Sequence, residues 1–145
     1  MNKMTAMTGT RTSGWNTPLL CPSRYEGRVG IITGGASGIG RATAVRMIRE
    51  GGTVIVGDLN VVAGNVLMEE ARQSGYSDRC RFLSCNVIEE DDIVRLTQCA
   101  EKEFGRLDLM VNCAGAGGAI GEFLDTSTEN WDATFQLVLN SSPFL

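Results

Sequence analysis

The chain has 145 residues, 43% hydrophobic and 21% charged, a balance that suits one globular domain with its own core. A formal net charge of -4 and a pI near 4.8 argue against non-specific nucleic-acid binding, and no apolar run reaches the length of a membrane span. The chain has no histidine, which excludes Ser-His and Cys-His nucleophile chemistry within it.

Residues 1–26 are rich in Thr and Ser and broken by Gly and Pro, and they read as a flexible N-terminal arm. Lys3, Arg11 and Arg24 precede the first acid, Glu26, so organelle targeting stands as the alternative to a cytoplasmic location. Residues 27–145 then alternate short apolar runs with helical patterns. "RVGIIT" (28–33) predicts a buried strand, and 38–51 predicts a helix with Ala42, Val45 and Ile48 on one stripe and Gly51 as its stop. "TVIVGD" (53–58) predicts a second strand, followed by a helix over 60–75 with Asn60 as N-cap and Gly75 as stop. A third strand is expected over 80–85 and a third helix over 89–105, acidic in its first turn as the helix dipole favours. "LDLMVN" (107–112) predicts a fourth strand, 115–122 a glycine-rich loop, and 126–142 a fourth helix capped by Ser127 or Thr128.

Continuous apolar strands alternating with helices predict an α/β fold, a Rossmann-like doubly wound parallel sheet. The five cysteines, Cys21, Cys80, Cys85, Cys99 and Cys113, form no CxxC pair and no zinc-like spacing. They read as reduced, buried apolar residues, with no metal site expected, and they favour a reducing compartment.

"TGGASGIG" (33–40) lies between the first strand and the first helix, with Gly34, Gly38 and Gly40 in G-x-x-x-G-x-G spacing. Glycine lets the main chain approach a pyrophosphate, and a helix start presents free N–H groups to it. Asp58 ends the second strand, 18 residues after Gly40. A carboxylate there accepts hydrogen bonds from both hydroxyls of an adenosine ribose and repels a 2′-phosphate, which favours NAD over NADP. The alternatives are a glycine-rich connection without a ligand and an ordinary turn aspartate.

From Gly27 onward the sequence resembles the short-chain dehydrogenase/reductase family. "TGGASGIG" resembles its cofactor glycine motif, and "VNCAG" (111–115) resembles its NNAG motif with Cys113 in the second Asn position. "CNVIEEDDI" resembles its Asp-Val segment, with Asn86 in place of Asp. The resemblance implies a nicotinamide-dependent oxidoreductase that moves hydride between NAD(H) and a small alcohol or carbonyl substrate. It implies that the Ile39 N–H meets the pyrophosphate, that Ser37 lies near the adenosine ribose, that Leu59 belongs to the cofactor site, and that Asn86 and Val87 flank the adenine. Asn112, Ala114 and Gly115 would line the nicotinamide-side ribose, with a purely structural role for Asn112 as the alternative. Cys113 reads as a small packed residue rather than a nucleophile.

The catalytic pattern of that family is not in these residues. The only tyrosines are Tyr25 and Tyr76, the only lysines Lys3 and Lys102, and no Tyr-x-x-x-Lys occurs. The family's helix-borne Asn is expected seven residues after Trp131, at Val138, whereas the asparagine is Asn140, two residues on and about 200° around an α-helix. Asn140 is therefore a weak candidate and the only catalytic one. The chain is expected to be an N-terminal piece of such an enzyme, inactive alone, with a bare edge on the fourth strand. Other expectations are a non-catalytic NAD-binding or partner-binding module, or a product that does not fold stably. A homo-oligomer is a further expectation for a folded form.

Overall fold

The computed structural model describes residues 21–115 and 126–140, with Asn140 described by its backbone alone. Four strands form one parallel sheet: β1 (Val29–Thr33), β2 (Thr53–Asp58), β3 (Cys80–Ser84) and β4 (Leu109–Asn112), in the order β3-β2-β1-β4. Between them run α1 (Gly38–Arg49), α2 (Val61–Gln73) and α3 (Glu90–Phe104), and α4 (Thr128–Phe135) follows β4. The expected doubly wound parallel sheet is what forms. The strand order reverses at β1, between β2 and β4.

Alternate residues of the central strands feed two cores. Ile32, Val54 and Val56 pack with Ala44, Met47, Ile48, Leu67 and Ala71 under α1 and α2. Val29, Ile31 and Ile55 pack with Ile93, Leu96 and Ala100 under α3. All five residues of β1 are buried, which is why its sequence is continuously apolar rather than alternating. β4 is only half-buried, and its outer edge has no strand partner among the described residues.

The helix ends follow local chemistry. The Asn60 side chain accepts a hydrogen bond from the Ala63 N–H at 3.0 Å, capping α2 as expected. The Ser127 hydroxyl accepts from the Asn130 N–H at 3.2 Å, so Ser127 rather than Thr128 caps α4. Gly105 ends α3 at φ 71°, in the left-handed region.

Three expectations need correction. The fourth strand begins at Leu109 rather than 107; the Asp108 main chain still donates to the Val29 carbonyl at 2.8 Å, but its side chain takes the place of a main-chain acceptor. Its carboxylate takes the Val29 N–H at 2.9 Å and the Arg28 guanidinium at 2.8 Å. The helix expected over 126–142 is α-helical only from Thr128 to Phe135 and continues as a π-helical turn, Gln136–Asn140. Apolar spacing reports which helix face is buried, and α4 buries no residue, so the sequence carries no signal for the change. Of the expected arm, residues 21–26 are turns docked on the domain, with the Tyr25 N–H donating to the Glu50 carbonyl at 2.9 Å. Residues 1–20 and most of the expected glycine-rich loop lie outside the described residues. No helix among the described residues is long and apolar enough to cross a membrane.

Asp108 gives the fold a predictable acid sensitivity. The Arg106 guanidinium, then the Val29 N–H and Arg28, hold its carboxyl well below the ordinary aspartate value of 3.8. A depressed folded value means that the ionised group stabilises the fold above about pH 4, and that this stabilisation is lost as pH falls further. Melting temperature should therefore drop between pH 4 and pH 2, and Asp108→Asn should flatten part of that drop in a pH series of thermal melts. An unchanged slope in Asp108→Asn would remove the assignment.

Candidate functional site

A cleft of about 460 Å³ opens at the carboxyl ends of the strands, beside the point where strand order reverses. That volume lies in the usual range for small-molecule sites, about 300–1,000 Å³. Its walls are the turn from β1 into α1, the β2–α2 junction, the segments after β3 and β4, and Leu137.

The glycine turn is shaped by close backbone approaches. A Cβ built on Gly34, at φ 63°, would lie 2.7 Å from the main chain of Ala114. Gly34 thus lets the first turn touch the end of β4. The Ala114 N–H adds a long bond to the Thr33 hydroxyl at 3.4 Å, and the Cys113 N–H donates to the Thr33 carbonyl at 3.1 Å. Gly38 also has positive φ, 52°, but a Cβ there would meet nothing within 4 Å. The space over Gly38 is open cleft, next to the first turn of α1.

That first turn is electrostatically prepared for an anion. Ser37 is the N-cap of α1, yet its side chain makes no capping bond, and the turn carries no acidic residue. The first-turn amides of a helix lack intrahelical acceptors and carry the positive end of the dipole. A phosphate placed there meets N–H donors and no competing carboxylate.

Asp58 closes the opposite wall. Its Oδ2 accepts the Ala36 N–H at 2.9 Å, and its Oδ1 accepts the Asn60 N–H at 2.9 Å. The carboxylate therefore ties the glycine turn to the start of α2. An ionised carboxylate has about four acceptor positions. Two are used here, which leaves capacity for a ligand's hydroxyls.

Of the residues expected to hold cofactor, Gly34, Ser37, Gly38, Ile39, Gly40, Asp58, Leu59, Asn86, Val87, Ala114 and Gly115 all line this one cleft. Ile39 and Leu59 expose their side chains, 81% and 68%. The Asn86 N–H donates to Asp92 at 2.7 Å, while its own Oδ1 receives only a long bond from the Ile88 N–H at 3.4 Å. Asn112 does not line the cleft; it ends β4 in register with Thr33.

Cys85, Cys113 and Leu137 line the cleft without having been expected there. Cys85 follows the last residue of β3, and its position at a strand's carboxyl end was the available signal. Burial pushes its thiol up to about 11, so it is a packing residue and a poor nucleophile. Leu137 comes from the π-helical turn, and nothing local in the sequence marks it. The cysteines were expected to be buried, but only Cys80 and Cys85 are; Cys99 and Cys113 are half-buried and Cys21 is exposed. No cluster of metal-ligating side chains occurs among the described residues.

Asn140 ends the π-helical turn. The rotation of about 200° assumed a continuous α-helix. With i→i+5 bonding over 136–140 that premise fails, so the count from Trp131 does not decide which face Asn140 takes.

Residues 28–144 match the family model for short chain dehydrogenase. The chain belongs to the short-chain dehydrogenase family. Among its relatives, 3-hydroxyacyl-CoA dehydrogenase type-2 of Drosophila melanogaster is 42% identical over 113 residues, covering 77% of this chain and 42% of the relative. This short-chain dehydrogenase thus spans less than half the length of that relative. Among solved structures, a short-chain dehydrogenase/reductase (glucose/ribitol dehydrogenase) from Brucella melitensis superposes with a TM-score of 0.76 at 26% identity, covering 83% of this chain and 50% of that one. The C-domain of a bacterial malonyl-CoA reductase, solved with NADP, superposes with a TM-score of 0.73 at 28% identity, covering 83% of this chain and 20% of that one. Members of this family use nicotinamide cofactors.

Proposed function

We propose that this chain is the NAD-binding portion of a short-chain dehydrogenase that interconverts an alcohol and a carbonyl compound. The observation that carries the reading is Asp58, a carboxylate in the cleft wall with two main-chain bonds made and acceptor capacity left over. The adenosine ribose hydroxyls would take that capacity, and the first turn of α1 would take the pyrophosphate. A 2′-phosphate beside Asp58 would meet like charge, which disfavours NADP. Bound NAD would supply the hydride acceptor. Family relationship to a 3-hydroxyacyl-CoA dehydrogenase supports a secondary alcohol as the substrate class.

Binding and turnover separate in this chain. Tyr25 docks near Glu50, and Tyr76 precedes β3 and lies between α1 and α2, so neither reaches the cleft. With no Tyr-x-x-x-Lys in the 145 residues, the proton transfer that accompanies hydride transfer has no donor of the family's kind. Calorimetric titration of the purified chain should show saturable NAD binding, weaker NADP binding, and no NAD-dependent oxidation of secondary alcohols. Tighter binding of NADP than NAD would overturn the cofactor assignment, and turnover by verified 145-residue material would overturn the separation.

A further inference from the structure

The amino-terminal end of the sheet, opposite the cleft, holds a buried carboxylate with no part in the cofactor site. Glu50 follows α1, and its side chain is wholly enclosed. Its Oε1 accepts the Cys21 N–H at 3.0 Å and the Arg46 guanidinium at 2.6 Å, while Arg24 approaches Oε2 at 3.2 Å. Its main-chain carbonyl accepts the Tyr25 N–H. Of these four partners, three belong to residues 21–26. The Cys21 N–H, above all, with Arg46 and Arg24, holds the carboxyl below the usual range against the opposing effect of burial.

Little else fastens that segment. Cys21, Pro22, Ser23, Arg24 and Glu26 are exposed, and Tyr25 alone packs against the α1–α2 core. The segment lies so close to the α1–β2 turn that a Cβ on Gly51 would fall 2.7 Å from the Pro22 carbonyl oxygen. A charge removed from water is stabilised only by the partners that surround it. Arg46 supplies one cation from α1, and the segment supplies the other, Arg24, together with the Cys21 N–H; Oε2 is buried with no hydrogen-bond partner of its own among the described residues. Closing the segment and surrounding the charge are therefore one event.

We propose that Glu50 is the latch of a strap, residues 21–26, which opens and closes over the base of the sheet as a unit separate from the cofactor cleft, hinged at Arg28, which Asp108 and the Thr53 N–H hold in place. The strap has few buried apolar contacts, the property of segments that open locally at a free energy below that of global unfolding. Its state decides whether the base of α1 around Met47 and Gly52 is covered, since a Cβ on Gly52 would meet both Met47 and Tyr25.

Amide hydrogen exchange on the full 145-residue chain tests this. The Cys21 and Tyr25 amides should be protected in the unaltered chain, although they lie beside exposed residues. In Glu50→Gln, which cannot hold two guanidiniums, exchange at both should rise about tenfold or more, and tryptic cleavage after Arg24 should accelerate alike. Exchange at Ile31 and Ile55 should stay unchanged. Free-peptide rates at Cys21 in the unaltered chain would overturn the latch, as would an equal rise at Ile31 and Ile55. If Glu50→Gln does not fold, Arg24→Ala removes only the strap's cation, and unchanged Cys21 exchange in that variant would also overturn it.

Discussion

Asp58→Asn is expected to weaken NAD binding about tenfold to a hundredfold, the effect of losing charged hydrogen bonds worth about 1.5–3 kcal/mol. Binding of NADP should change much less, so the preference between the two cofactors should narrow. The same variant should lose stability, about 1–3 kcal/mol, because one of the two main-chain donors now faces an amide NH2. Ala36 and Asn60 are those donors. Calorimetric titration with both cofactors and urea denaturation separate the two effects. Equal losses for NAD and NADP would show that Asp58 only supports the turn and does not select the cofactor.

Gly40→Ala is expected to cost more than its size suggests. The added Cβ would lie 2.3 Å from the Gly34 carbonyl oxygen and 2.9 Å from its carbon. Both are main-chain atoms in a turn already wedged against Ala114, so neither can yield cheaply. Overpacking of this kind costs about 1–3 kcal/mol. NAD binding should fall with it, because the turn must open to admit the methyl group. Gly38→Ala is the informative contrast. It meets no atom, and its cost is the strain of a left-handed alanine, about 1–2 kcal/mol. It should leave the geometry of the turn intact while placing a methyl group in the open cleft. Urea denaturation of the two variants, with NAD titration of each, checks the pair. A Gly40→Ala variant that binds NAD as the unaltered chain does would contradict the close-packed turn.

The parts of this molecule that the sequence disclosed are those in which local pattern and tertiary role coincide. β1 and β2 are buried on both faces, so their residues are continuously apolar and their place in the centre of the sheet is readable. Gly34, Gly38, Gly40 and Asp58 were readable because a turn between strand and helix admits few residue types. The weaker readings fail for identifiable reasons. Asp108 looked like part of a strand, but its carboxylate is used to hold Val29 and Arg28. Residues 21–26 looked like a free arm because nothing in their composition reveals that Glu50, far along the chain, awaits their N–H groups and charge. The π-helical turn and the place of Leu137 at the cleft were not legible, because α4 buries no residue and so leaves no apolar spacing to read.

The cleft at the reversal of strand order is the centre of the account, and a residue-resolved titration of isotopically labelled chain with NAD tests it most directly. Saturable amide shifts should appear at Ser37 to Gly40, Asp58 and Leu59, Asn86 and Val87, and Ala114 and Gly115, with residues 21–28 unaffected. Shifts confined to the groove between α1 and α2, around Val45, Leu67 and Tyr76, or no saturable shift at millimolar NAD, would contradict it.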